Sequence, residues 1–123
     1  MKIRTHKDLE VYKIAFISAT KIFELSKHFP KEETYSLTDQ MRRSSRSVCA
    51  NLAEAFRKRR YPKSFISKLS DSEGESAETQ AWLDFAYYCR YIAQNEYNEL
   101  SERYEKIIGM LVIMSLHPEN WSW

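Results

Sequence analysis

The chain has 123 residues, a formal net charge of +2, two glycines and three prolines. This length allows one domain with a substantial core and excludes a chain of two domains. The scarcity of glycine and proline excludes a turn-rich β-protein and favours helices. No run approaches the roughly 20 apolar residues of a membrane span, and the charged first ten residues do not resemble a signal peptide. We therefore expect a single all-α domain over residues 1–123 in the cytoplasm, without membrane contact.

The first predicted helix, at about residues 8–27, has an unusually wide apolar face. One stripe comprises Leu9, Tyr12, Phe16, Ala19 and Phe23, and a second comprises Val11, Ile14, Ser18, Ile22 and Leu25. Together they cover roughly 200° of the helix surface, whereas one core-facing stripe covers roughly 100°. The surplus predicts a second buried face, which we interpret as a subunit interface. The alternative is an ordinary helix sunk deeply in its own bundle.

The second predicted helix, at residues 37–57, begins after Ser36, a preferred N-cap residue, and Asp39 complements its positive end. Its apolar stripe comprises Leu37, Met41, Val48, Leu52 and Ala55. Its arginines lie on the far side: Arg42, Arg43, Arg46 and Arg57. Polar residues flank the stripe, among them Gln40, Asn51 and Glu54, and we expect neighbouring elements to satisfy their hydrogen bonds.

The connection to the third helix is the most basic segment of the chain. It comprises Arg57, Lys58, Arg59, Arg60, Tyr61, Pro62 and Lys63. Residues 34–68 carry nine basic and two acidic side chains, whereas residues 69–95 carry one and five. Such a basic surface can neutralise phosphates without reading sequence, and Tyr61 adds a ring on which a base of a single strand can stack. The two halves of opposite charge also suit a head-to-tail subunit interface.

The third helix is predicted at about residues 63–93 and the fourth at about 96–116, capped by Asn95 and followed by a tail at 117–123. Gly74 lies within the third helix, where it costs about 1 kcal/mol relative to alanine, and we expect a close backbone approach there. Whether Trp121 and Trp123 dock on the bundle is left open. Short connections predict an antiparallel up-down-up-down four-helix bundle.

The sequence offers little support for catalysis. There is no Glu-x-x-His pair of the kind that di-iron bundles use, no glycine-rich phosphate loop and no clustered metal-ligand spacing. We expect Glu54 and Glu78 to form structural hydrogen bonds with Gln40, Asn51 or the backbone rather than to act as an acid–base pair. Cys49 and Cys89 lack a CxxC spacing and are predicted to be reduced and buried. We therefore expect a protein without enzymatic activity, cofactor, metal or small-molecule substrate.

Two blocks of the sequence resemble a known family. The first, Phe-Pro-x-x-Glu-x-Tyr-x-Leu-x-x-Gln-x-Arg-Arg and then Ser-Val-x-x-Asn-Leu-Ala-Glu, covers residues 29–54. The second comprises Phe65, Leu69, Gly74 and Glu78. Both are similar to the 23S ribosomal-RNA intervening-sequence protein family of bacterial four-helix bundles. The resemblance implies a pentameric ring in which Gln40, Asn51, Glu54, Gly74 and Glu78 serve structure or interface.

Two hypotheses of function follow from the charges and the resemblance. A related fold serves as the basic accessory protein of diversity-generating retroelements, where it partners a reverse transcriptase and nucleic acid. The first hypothesis is therefore an oligomeric accessory protein that binds RNA, or less favourably DNA, through the basic residues. The second is a protein-interaction scaffold that binds a partner such as a polymerase and makes little contact with nucleic acid. The arginines of the second helix serve assembly in one interpretation and nucleic-acid binding in the other.

Overall fold

The computed structural model describes residues 3–121. It contains four α-helices: α1 (Glu10–Ser26), α2 (Leu37–Arg57), α3 (Pro62–Tyr88) and α4 (Gln94–Leu116). Short 3-10 turns lie at His6–Asp8, Lys31–Glu33 and Pro118–Asn120. Each helix packs against the next, and α4 closes the arrangement on α1. The predicted all-α four-helix bundle is confirmed, and residues 3–121 contain no β-strand.

The core follows the predicted apolar stripes of α2 and α4. All five residues of the α2 stripe are buried. Those of α4 that are buried comprise Leu100, Tyr104, Ile107, Leu111 and Met114. Side chains spaced three and four residues apart share one helix face, so burying that face removes them together from water. Burial of each leucine, isoleucine, valine or methionine side chain among them stabilises the fold by about 1.5–3 kcal/mol.

Buried hydroxyl groups join α2 to the middle of α3. The Ser72 hydroxyl donates to the Val48 carbonyl at 2.9 Å, and the Thr79 hydroxyl donates to the Ser44 hydroxyl at 2.8 Å. All three hydroxyl residues are almost inaccessible to solvent. Because their side chains are short, they let the two helix backbones approach, and the hydrogen bonds offset the cost of burying polar atoms.

The entry to α2 differs from the prediction. Ser36 occupies the N-cap position, but its hydroxyl donates to Glu33 Oε1 at 2.6 Å and accepts no hydrogen bond from the helix. Glu33 Oε1 instead accepts from the Leu37 amide at 3.3 Å, and Glu33 Oε2 accepts from the Tyr91 hydroxyl at 2.9 Å. The hydrogen bonds from Ser36 and Tyr91 lower the pKa of Glu33. The carboxylate of Glu33, rather than Ser36, therefore caps α2 and ties it to the α3–α4 connection.

Three predicted helix boundaries are wrong by a few residues. The first helix starts at Glu10 because Thr5 and Asp8 close a separate capping box. The predicted helix 63–93 is too long, since α3 ends at Tyr88, where Arg90 adopts a left-handed φ of 63° and the Tyr91 amide donates to the Ala86 carbonyl. The predicted start at 96 is late: α4 starts at Gln94, and Glu96 accepts from the Ala93 amide at 2.8 Å. Asn95 is not its cap.

The two cysteines have different environments, and both are free. Cys49 is buried, and burial raises the pKa of its thiol to about 11. Cys89 is exposed, which contradicts the prediction of a buried residue, because α3 ends before it. In the tail, Trp121 packs against the core, whereas Trp123 lies outside the described residues. None of the helices at residues 3–121 is long and apolar enough to cross a membrane.

Part of the wide apolar face of α1 is exposed to solvent. Val11, Ser18 and Ile22 are buried, but Phe16 is 52% and Ile17 55% exposed. Phe16 is the one exposed residue among the ten of the two predicted stripes, so the subunit interface on α1 stays a prediction. The exposed strip continues into a groove between α1 and α2, whose lining includes Tyr12, Phe16, Ala19, Thr20, Phe23, Arg46 and Cys49.

Candidate nucleic-acid interface

Arg42 packs between α1 and α2 instead of facing solvent on the far side of α2. Its Nε donates to the Ser26 hydroxyl at 2.8 Å, and its guanidinium lies 4.7 Å from the centre of the Phe23 ring. Arg46 lies one turn further along α2, with its guanidinium 5.5 Å from the same ring centre. We call Phe23, Ser26, Arg42 and Arg46 the Phe23 cluster. The prediction that Arg42 lies on the far side is wrong, because the edge of the α2 arginine face meets α1.

The remaining α2 arginine before the helix end, Arg43, is exposed. Its Nη1 lies 3.9 Å from the Asp39 carboxylate one turn earlier, at the limit of an ion pair. Because both side chains are well exposed, such a pair contributes at most about 1 kcal/mol. Arg43 therefore remains available to a ligand at little cost.

The segment at residues 57–63, which we call the basic turn, joins α2 to α3 at one end of the bundle. The Lys58 amide donates to the Glu54 and Ala55 carbonyls, and the Tyr61 amide donates to the Lys58 carbonyl at 2.9 Å. The Phe65 amide then donates to the Tyr61 carbonyl at 2.9 Å, within the first turn of α3. These hydrogen bonds fix the backbone on both sides of the turn.

Lys58 and Arg59 of the basic turn contact residues of α2. Lys58 Nζ lies 3.2 Å from the Glu54 carboxylate, which also approaches Lys68 Nζ at 3.5 Å. Arg59 lies over the Phe56 ring at 3.8 Å, and its Nη1 donates to the Phe56 carbonyl at 2.9 Å. Both contacts direct the side chains back along the bundle and away from the tip of the turn.

The other side chains of the basic turn are exposed: Arg57, Arg60, Tyr61 and Lys63. The Arg60 guanidinium lies 5.1 Å from the Tyr61 ring centre, and the ring is 56% exposed. No acidic residue occurs between Glu54 and Asp71 in the sequence. This tip therefore presents cations and an aromatic ring together at the surface.

The predicted basic residues do not form one site. Arg46 and Arg57 lie on the same side of α2, but eleven residues of helix separate them by about 16 Å. In the Phe23 cluster Arg42 is half-buried and hydrogen-bonded, whereas Arg46 is exposed at the edge of the ring, and the basic turn exposes part of its own set. Sequence reasoning did not identify Phe23 and Ser26 as arginine partners, although the spacing of Phe23 and Ser26 places them one turn apart on α1.

The polar residues of the family blocks line a shallow groove between α2 and α3. We call it the polar groove; its lining comprises Ser47, Asn51, Ser70, Asp71, Gly74, Glu75 and Glu78. The Asn51 side-chain amide donates to the Ser47 carbonyl at 3.0 Å. Burial, reinforced by the neighbouring Glu78, raises the pKa of Glu75. Sequence reasoning did not predict this pairing of Glu75 with Glu78.

Two predictions for the polar residues of the family blocks are wrong. Glu54 pairs with Lys58 and Lys68 rather than with Gln40 or Asn51. The pKa of Glu54 is lowered, mainly by the hydrogen bond from Lys58. Gly74 makes no close approach, since a Cβ at this position would meet no atom within 4 Å among the described residues.

Gln40 lies apart, in a second groove with Tyr35, Trp82 and Phe85. Across residues 3–121, no group of three His, Cys, Asp or Glu side chains could hold a metal ion.

A family model described as "23S rRNA-intervening sequence protein" matches residues 7–112. The chain is similar to a crystal structure, at 1.70 Å resolution, of a protein with unknown function from the S23 ribosomal protein family of Bacteroides thetaiotaomicron. The two share 26% sequence identity and a TM-score of 0.77, over 85% of this chain and 97% of the other. No curated protein matches the chain.

Proposed function

The chain belongs to the 23S rRNA-intervening sequence protein family, and from that premise we propose that it is a non-enzymatic accessory protein that binds RNA through the basic turn. The observation that carries the proposal is the exposure of Arg57 and Lys63 beside Tyr61, in a segment without acidic residues. The lysine and arginine groups contact phosphates and release their counterions, which favours association with any nucleic acid. The family's link with ribosomal RNA supports RNA over DNA.

The proposal includes assembly into a cyclic homo-oligomer, most favourably a pentamer. The support is the exposed α1 strip at Phe16 and Ile17, together with the contrast between a basic α2 and acidic α3 and α4. Two different complementary patches on each chain allow a head-to-tail contact, and such contacts form a ring when the rotation from one subunit to the next closes. A ring would repeat the basic turn once per subunit and so multiply weak phosphate contacts. Light scattering should then give about five times the chain mass of 14.7 kDa.

The test of RNA binding is a salt titration of fluorescence anisotropy. The probe is a labelled RNA that carries both a hairpin and a single-stranded tail, so that the result does not depend on the strand type. Wild-type protein should bind with an affinity that falls steeply as salt rises. Reversal of Arg57 and Lys63 to glutamate should flatten the plot of log affinity against log salt by roughly 1.4, since each lost phosphate contact removes about 0.7.

A matched control reverses two exposed lysines elsewhere, Lys21→Glu with Lys106→Glu. It changes the net charge by the same amount and should leave most of the binding intact. Equal losses in both double variants would mean that net charge alone attracts RNA. Absence of salt-sensitive binding in the wild-type protein would overturn the proposed function.

A second candidate function, a scaffold for a protein partner such as a polymerase, is favoured by exposed aromatic side chains. Tyr35 is 93%, Tyr88 84% and Phe85 55% exposed, at the end of the bundle away from the basic turn. Exposed aromatic residues are enriched at protein interfaces. Under this function, Tyr88→Ala would abolish partner binding, while the Arg57 and Lys63 reversals would have no effect.

A further inference from the structure

Tyr61 is an exposed aromatic residue that the backbone holds in place. It is the residue before α3, and it has an extended conformation with φ −110° and ψ 95°. Its amide and carbonyl are both hydrogen-bonded, and Pro62 follows it as the first residue of α3. The ring nevertheless contributes little to the core, since 56% of the residue is exposed. The chain therefore keeps a large apolar ring at the surface on a fixed backbone.

Arg60 covers one face of this ring. Its guanidinium lies 5.1 Å from the ring centre, and 56% of the residue is still exposed. A guanidinium above one face also holds the side chain through a cation–π contact. Tyr61 therefore presents one open face on a supported ring.

Exposed cations lie on both sides of Tyr61 in the sequence. Arg57, the last residue of α2, precedes it by four residues, and Lys63 follows in the first turn of α3. No carboxylate belongs to the segment between Glu54 and Asp71, and Glu54 is itself engaged by Lys58 and Lys68. Within seven residues of the chain, the basic turn thus has an exposed aromatic ring between two exposed cations.

We infer that the basic turn recognises single-stranded RNA, with one base stacked on the open face of Tyr61 and the adjoining phosphates on Arg57 and Lys63. This inference rests on the proposed function and specifies its ligand. In a duplex the bases are stacked on each other and are closed to a protein ring, whereas an unpaired base has a free face. Stacking of this kind is tolerant of sequence, because every base has a π-face.

The experiment compares two labelled RNAs, an unstructured twelve-nucleotide strand and a twelve-base-pair duplex, against three tyrosine variants. Tyr61→Ala should weaken single-strand binding by about 5- to 150-fold, the range for loss of one stacked base. It should leave the salt slope unchanged, since no phosphate contact is removed. Tyr61→Phe keeps the ring and should bind as wild type. Tyr35→Ala removes a tyrosine that is even more exposed, at the other end of the bundle, and should also bind as wild type.

A strand containing 2-aminopurine provides a direct readout of stacking. Its fluorescence should fall on addition of wild-type protein or Tyr61→Phe, and should not fall with Tyr61→Ala. Thermal unfolding of each variant verifies that the exposed position can be changed without loss of the fold. Duplex binding as tight as single-strand binding, or equal single-strand affinity for Tyr61→Ala and wild type, would overturn the inference while leaving the proposed function standing. Loss of all salt-sensitive binding in the wild-type protein would overturn both.

Discussion

Arg42 and Arg57 lie on the same helix, yet their side chains have opposite surroundings. Arg42 is half-buried, donates to Ser26 and lies over Phe23. Arg57 ends α2 and is exposed as the first residue of the basic turn. The same residue type therefore stabilises the α1–α2 contact in one place and remains available for a phosphate in the other. Contacts, rather than the number of positive charges, separate the packing arginines from the candidate binding residues.

The largest effect on stability should come from placing a charge on α1, the helix that Arg42 contacts. Ile22 is 1% exposed, so Ile22→Glu buries a carboxylate without a partner and should cost more than about 4 kcal/mol, enough to unfold the chain. Phe16 is 52% exposed, so Phe16→Glu should keep the helical circular dichroism signal and break the oligomer instead. Circular dichroism and light scattering on the same samples separate the two results. An intact oligomer with Phe16→Glu would contradict assembly through α1.

The next effect tests the two arginines directly. Arg42→Ala removes a hydrogen bond from a charged group, worth about 1.5–3 kcal/mol, and a cation–π contact with Phe23. We expect the free energy of unfolding in urea to fall by about 2 kcal/mol. The matched change at an exposed site, Arg57→Ala, should alter it by less than about 0.5 kcal/mol and should weaken RNA binding instead. If both variants lost stability equally, the structural distinction between the two regions would be wrong.

The helical pattern of the chain was predictable because it depends on local spacing. The α2 stripe from Leu37 to Ala55 is entirely buried, and the α4 stripe is buried at Leu100, Tyr104, Ile107, Leu111 and Met114. A period of 3.6 residues requires no knowledge of the neighbouring helices. The family resemblance was also sufficient to identify the family, because the first block contains many matching positions within 26 residues.

The contacts of single polar residues could not be predicted in the same way. Arg42 faces α1 because of how the two helices pack, and α2 alone does not determine that packing. Glu33 caps α2 because the 3-10 turn at Lys31–Glu33 places its carboxylate next to the Leu37 amide, four residues later in the chain. Helix propensities do not reveal such a turn. The end of α3 depends on a left-handed Arg90, whereas a glycine would have signalled it in the sequence. The exposure of Cys89 follows from that early end.

The smallest effect concerns the acidic counterpart of the basic turn, the Glu75–Glu78 pair of the polar groove. Burial and the neighbouring Glu78 raise the pKa of Glu75 above its ordinary value near 4.5. The folded chain therefore holds the proton of Glu75 more tightly than the unfolded chain, and this carboxyl destabilises the fold increasingly as the pH rises from about 4.5 through its folded pKa. Glu75→Gln removes that cost and should stabilise the protein at pH 7 but not at pH 4. Because water still reaches the pair, we expect a gain below about 1 kcal/mol.

Glu54→Gln is a control for the Glu75 prediction, because it should change stability at pH 7 in the opposite direction. Its pKa is lowered by Lys58 and Lys68, so the ionised carboxylate contributes stability that is present above about 4.5 and lost as the pH falls through the lower folded value. Glu54→Gln should therefore destabilise the protein at pH 7, and this difference should shrink in acid. Urea unfolding of both variants at pH 4 and pH 7, each referred to wild type, measures the two trends. If the two substitutions changed the free energy of unfolding in the same direction between pH 4 and pH 7, the folded chain would not raise the pKa of Glu75 and lower that of Glu54, and the prediction would be wrong.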